Sequence, residues 1–124
     1  MTIERFQELV PLICARETSA DPQNWSEKNP LWGHCAVVSL LAQELFGGSL
    51  LRRSLAGIPG LEYLRSHYSN RLPNGEEIDF TLEQFEGRLP ENLPTEERER
   101  ERALSYPDTE RRYALLKKHF EERR

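Results

Sequence analysis

Ser66-His67-Tyr68-Ser69-Asn70-Arg71-Leu72-Pro73-Asn74-Gly75-Glu76-Glu77-Ile78-Asp79-Phe80-Thr81 is the stretch on which the fold turns. It reads as two antiparallel strands, 61–72 and 76–81, joined by Pro73-Asn74-Gly75. A two-residue Asn-Gly turn would place Pro73 inside the ladder, where its missing N–H is unwelcome. A three-residue loop suits the residues better: Pro73 and Asn74 in a type I turn, then Gly75 in the left-handed position of a bulge. Leu72 then faces Glu76, Ser69 faces Asp79 and His67 faces Thr81. In this register His67 and Asp79 lie on one face as diagonal neighbours, ~7–8 Å apart at the backbone, within reach of each other's side chains. A slip of one residue would put them on opposite faces.

On the N-terminal side, Gly57-Ile58-Pro59-Gly60 is a turn and Ser49 to Ala56 a further strand. Cys35 to Phe46 reads as a helix, apolar nearly all round and closed by Gly47-Gly48. Such a helix is central and packed on several sides. Residues 17–34 hold two prolines, a glycine and a cluster of Ser, Thr, Asn and Asp, and read as a long loop whose Trp25 and Trp32 need cover. Residues 3–16 form an amphipathic helix, with Phe6, Leu9, Val10, Ile13 and Cys14 on one stripe and Pro11 a bend or start signal. Cys14 there is a small buried hydrophobe.

On the C-terminal side, Thr81 caps one helical turn through Phe85. Pro90 and Pro94 bracket a linker, and Glu96 to Arg102 is almost purely charged, a solvated helix or disordered arm. Asp108 caps a last helix that carries the narrow stripe Tyr113, Leu116 and Phe120. The reading is therefore an α+β core over 1–87, with a Cys-bearing central helix packed on a small antiparallel sheet of about three strands. A charged helical extension over 88–124 follows. Its stripe needs a cover: either the chain's own core or a partner, most simply a second copy of the chain docking through these C-terminal helices.

Composition narrows the function classes. The 124 residues carry 37% hydrophobic and 31% charged side chains and a net charge of −4. No apolar run reaches the ~20 residues of a membrane helix. The acidic first turn is no signal peptide, so a cytoplasmic protein without membrane contact is expected. Residues 1–87 hold 7 Lys/Arg against 12 Asp/Glu, and 88–124 hold 10 against 9. Neither is the basic footprint of a nucleic-acid binder. Two cysteines in a reducing compartment are free thiols. No Gly-rich phosphate motif precedes a helix, and no cofactor is expected.

Cys35, His67 and Asp79 are the candidate chemical constellation. A helix N-terminus favours a thiolate through its unpaired N–H groups and dipole. A histidine can accept the thiol proton, and a carboxylate on the other ring nitrogen holds the tautomer. Each residue also has an ordinary reading: a packed thiol, a surface imidazole, a carboxylate capping the turn before Thr81. A metal set of His34, Cys35 and His67 lacks the usual ligand spacing, so no metal is expected. The candidate donors to an oxyanion are the Cys35 N–H, His34, and the indoles of Trp25 and Trp32. Ser69 is a candidate pocket residue.

One series of residues is familiar as a set: Trp25; Asn29-Pro30-Leu31-Trp32-Gly33-His34-Cys35-Ala36-Val37; Gln43-Glu44 with Gly47-Gly48; Ser66 through Gly75; Asp79-Phe80-Thr81 and Gln84-Phe85. Across roughly residues 17–87 it resembles the YunG-like family of small, uncharacterised bacterial proteins. That family's pattern is similar to papain-like and transglutaminase-like thiol enzymes, in which a Cys opens the central helix and His and Asp follow on adjacent strands. The matching positions are Cys35, His67 and Asp79. His34 stands where the family usually has Gln, and Ser69 where it usually has Trp. The resemblance implies a fold and a thiol mechanism and brings no substrate; the expected function is a cysteine hydrolase or acyl-transferase acting on an amide-like or thioester bond of a small molecule or peptide. Cys35 would be nucleophile, His67 general base and acid, and Asp79 orienter. The rival expectation is a non-enzymatic binding domain that keeps the scaffold. Exposure and reactivity of Cys35 separate the two.

Overall fold

The hairpin closes as the loop length requires. In a computed structural model that describes all residues 1–124, Gly75 N–H donates to the Leu72 carbonyl (2.9 Å) and Leu72 N–H to the Glu76 carbonyl (2.7 Å). Gly75 takes the left-handed conformation at φ 91°. The strands β2 (Ser66–Arg71) and β3 (Glu77–Ile78) pair antiparallel with Asn70 opposite Ile78 and Arg71 opposite Glu77. That is the three-residue-loop register.

β2 is shorter than the expected strand. Glu62–Leu64 is a 3-10 turn, and Arg65 follows at φ 70°. The positive φ breaks the extended chain, and the turn buries Leu61 beside Trp32, Leu55 and Phe85. The third strand also ends early, because the Asp79 carboxylate accepts the Thr81 N–H (3.2 Å) and bends the chain after Ile78. Thr81 precedes the 3-10 turn Leu82–Phe85 as expected but does not cap it with its side chain.

The central helix α2 runs from Cys35 to Phe46 and ends at Gly47. Gly48, at φ 84°, crosses so close to the Arg71 carbonyl that a Cβ would collide with it. This tight crossing sends the chain into β1 (Ser49–Ser54), which pairs with the whole of β2, Arg53 opposite His67 and Leu51 opposite Ser69. Leu40 of α2 packs with Leu50 and Tyr68 on the sheet. The Asn70 amide donates to the Ser39 carbonyl (2.9 Å), fixing helix to strand.

The largest departure lies in the charged tail. Glu96–Arg98 forms a fourth strand, β4, antiparallel to β1, so the sheet order is β3-β2-β1-β4. Charged side chains suit such an edge, where they discourage pairing with other chains. Here Glu96 also links Arg52 (3.2 Å) and Arg98 (2.7 Å). The short helix α3 (Arg100–Leu104) then leads to α4 (Thr109–Arg123). Asp108 precedes α4 but donates no cap. It sits at φ 69° with its carboxylate bound to Arg111 at 2.6 and 2.8 Å.

Leu116 and Phe120 of α4 are fully buried with Phe6, Leu9, Val10 and Ile13 of α1 (Ile3–Ile13) and Val37, Val38 and Leu41 of α2. The stripe that wanted a cover finds it on the chain's own core, so it offers no free apolar face to a second copy. Tyr113 completes the join. Its hydroxyl donates to Glu44 (2.6 Å) and accepts from Arg100 (2.8 Å).

Candidate functional site

Cys35 is the first residue of α2 and is half-buried. The first intrahelical bond runs from Val38 N–H to the His34 carbonyl (2.9 Å), so the N–H groups of Cys35 and Ala36 have no backbone partner. The thiol contacts the Ser66 carbonyl at 4.0 Å, which seats it against the start of β2. Gly33 holds this approach. It lies at φ 76°, where a Cβ would collide with Ser19, and its N–H donates to the Gln84 side-chain oxygen (3.0 Å).

His67 is fully buried on β2. Its Nε2–H donates to Asp79 Oδ2 at 2.6 Å. The same carboxylate anchors Thr81 through Oδ1, so the turn that ends β3 also aims the aspartate. Nδ1 of His67 makes no regular hydrogen bond inside the fold, and Cys35 is the neighbouring group that acts on the ring. Phe85 stands edge-on to the imidazole with centroids 4.8 Å apart. Burial alone would lower the imidazole pKa. The Asp79 hydrogen bond and the interaction with Cys35 outweigh it and lift the pKa to about 9. The site therefore favours an imidazolium between Cys35 and the Asp79 carboxylate.

A cleft of about 400 Å³ opens in front of Cys35. Leu64, Tyr68, Phe85 and Ala103 give it an apolar wall, and Arg65, Gln84 and Arg112 contribute polar groups.

The other expected site residues do not reach it. His34 is fully buried, with Nδ1–H on the Trp32 carbonyl (2.9 Å) and Nε2 against Thr18 Oγ1 (2.7 Å). Burial, reinforced by the nearby Arg112 charge, pulls its pKa down to about 4, so it is a neutral structural group with no hydrogen left to donate. The same bonds take it out of any metal set with Cys35 and His67. Both indoles are committed: Trp25 Nε1–H to the Pro30 carbonyl (2.8 Å) and Trp32 Nε1–H to Asp21 (2.9 Å). Trp32 instead backs Phe85 from behind, with centroids 6.2 Å apart. Ser69 is buried and accepts from Arg53 (2.7 Å), away from the cleft.

Conversely, Arg112 and Tyr68 line the cleft without any mark in the sequence that points to it. Arg112 sits in a helix dense with arginines, and nothing local distinguishes a buried guanidinium from a solvated one. Tyr68 sat next to His67 on the opposite strand face, where it reads as core.

Fold and site together define an α+β protein with a four-stranded antiparallel sheet and a cleft built around a helix-terminal thiol. The chain belongs to the YunG protein family, whose family model matches residues 2–124 and so takes in the charged tail as well. No curated protein and no solved structure matches it. No helix is long and apolar enough to cross a membrane.

Proposed function

We propose that the protein is a cysteine hydrolase or acyl-transferase acting on an amide-like or thioester bond through Cys35, His67 and Asp79. The observation that carries this is the 2.6 Å bond between the buried His67 and the partly buried Asp79, next to a half-buried thiol at a helix N-terminus that faces a cleft. The order of parts, a thiol on the central helix followed by His and Asp on antiparallel chain, is that of papain-like and transglutaminase-like enzymes.

In this reading the Cys35 proton rests on His67 Nδ1, and Asp79 holds Nε2–H in place. The thiolate attacks the carbonyl carbon. The resulting oxyanion takes hydrogen bonds from the free N–H groups of Cys35 and Ala36 at the positive end of α2. His67 returns the proton to the departing amine or thiol as its bond to the carbonyl carbon breaks, leaving a thioester on Cys35. Water or another nucleophile then gives a proton to His67, attacks the thioester carbonyl and regenerates the thiolate.

A panel of p-nitrophenyl esters and acyl thioesters tests the proposal, read by intact mass. A burst of p-nitrophenol with one acyl group on Cys35 is expected, absent in Cys35→Ala and slowed at least 100-fold in His67→Gln, general acid–base catalysis contributing ~10²–10⁴. No acyl adduct with any member, with full retention of fold, would overturn it in favour of a binding domain.

A further inference from the structure

The cleft's lining holds two arginines, Arg65 and Arg112, and no aspartate or glutamate. This is a local inversion in a chain with 21 acidic residues and a net charge of −4. Arg112 is the more telling of the two, because only 6% of it is exposed. A buried cation is costly unless it is paired and well hydrogen-bonded. Its bonds are long and go to neutral oxygens: the Thr18 carbonyl and Thr109 Oγ1, both at 3.3 Å. The nearest carboxylate, Asp108, stands 4.0 Å off and is already held twice by Arg111. Arg65 makes no ion pair and lines the cleft from the residue just before β2.

Tyr68 supplies an independent sign. It is 4% exposed and lines the same cleft, yet its hydroxyl has no hydrogen-bond partner in the fold. A buried hydroxyl left in this state costs stability that a bound acceptor would recover. Leu64 and Phe85 add apolar lining to the same cleft. The volume, near the lower end for small-molecule sites, suits a short organic acid and not a folded partner.

We infer that the cleft beside Cys35 recognises a carboxylate on a short apolar chain, with Arg112 as the anchoring cation, Tyr68 a hydrogen-bond donor and Phe85 the apolar wall. Read with the proposed function, on which the substrate assignment rests, the substrate is an amide or thioester that also carries a free carboxylate. Arg112 is then a specificity-determining residue: it selects the molecule and takes no part in bond breaking.

Hexanoate and its neutral counterpart hexanamide serve as probes of the full chain. In amide-proton NMR titrations hexanoate should shift Cys35, Phe85 and Arg112 and bind at least about tenfold tighter than hexanamide, the scale of one charge-assisted hydrogen bond. Arg112→Gln should erase the preference, Arg112→Lys should keep part of it, and Tyr68→Phe should weaken hexanoate binding. The wild-type comparison stands even if an Arg112 variant does not fold. Equal binding of the two probes, or binding of neither, overturns the inference.

A second arm separates this from the thiol reading. Iodoacetate and iodoacetamide are timed against Cys35, and Arg112→Lys should retain more of any iodoacetate advantage than Arg112→Gln. If hexanoate is preferred but neither reagent modifies Cys35, the carboxylate cleft stands and the nucleophile reading falls. If iodoacetamide modifies Cys35 rapidly while hexanoate shows no preference, the reverse holds.

Discussion

His34 and His67 are both fully buried, yet the structure requires them to titrate in opposite directions. Burial pushes each toward the neutral form. His34 meets only neutral oxygens and the Arg112 charge, and falls from 6.5 to about 4. His67 meets the Asp79 carboxylate at 2.6 Å and Cys35, and rises from 6.5 to about 9. The separation corresponds to about 7 kcal/mol between two equally dry sites. The perturbation is Asp79→Asn, which keeps the shape and removes the charge; His67 should then fall by about 1–3 pH units. Imidazole ¹³C and ¹⁵N shifts followed over pH 3.5–10 (~) report each ring, and the chain has only three histidines to assign. Stability should follow. Between pH 6.5 and about 4 the unfolded chain holds the proton that His34 refuses, so stability present above 6.5 is lost as pH falls, by about 3 kcal/mol in all. His67 has the opposite sign. Its contribution is complete below 6.5 and is lost as pH rises toward about 9. Both rings titrating near 6.5, or a His67 indifferent to Asp79→Asn, would refute the reasoning.

Iodoacetamide at neutral pH should modify Cys35 and spare Cys14, whose thiol is 7% exposed and held up in pKa by burial; peptide mass spectrometry showing Cys14 labelled first would contradict the site. Phe120→Ala should cost about 3–5 kcal/mol in urea unfolding, and a chain ended after Gly87 should lose its cooperative transition, because Leu116 and Phe120 complete the main core; an unchanged melt of the shortened chain would show the tail to be dispensable. Gly48→Ala should lower Tm by more than the ~1–2 kcal/mol of left-handed strain alone implies, since the new methyl meets the Arg71 carbonyl. Tyr68→Phe should leave stability unchanged or raise it by up to ~1 kcal/mol, as it removes a buried hydroxyl without a partner.

Local rules carried the reading wherever the chain's neighbours in sequence are also its neighbours in space. The helix from Cys35 to Phe46, its Gly47 terminus and the hairpin register at Pro73-Asn74-Gly75 each follow from a few adjacent residues. The His67–Asp79 contact came with that register, because the side-chain period of two leaves no freedom once the loop length is known. What escaped was decided by partners far along the chain. Glu96–Arg98 has no strand signature of its own and becomes a strand because β1 presents an open edge with Arg52 on it. Leu116 and Phe120 read as a stripe for either the core or a partner, and the choice falls to the core because α1 and α2 converge on them. His34 sits next to Cys35 in sequence but turns toward Thr18 and Trp32, while Arg112, far along the chain, arrives at the cleft. Periodicity, turn chemistry and helix termini are properties of short segments and are legible in the residues themselves. Burial of a charge, the pairing of an edge and the lining of a cleft depend on which distant surfaces meet, and they exist only in the folded chain.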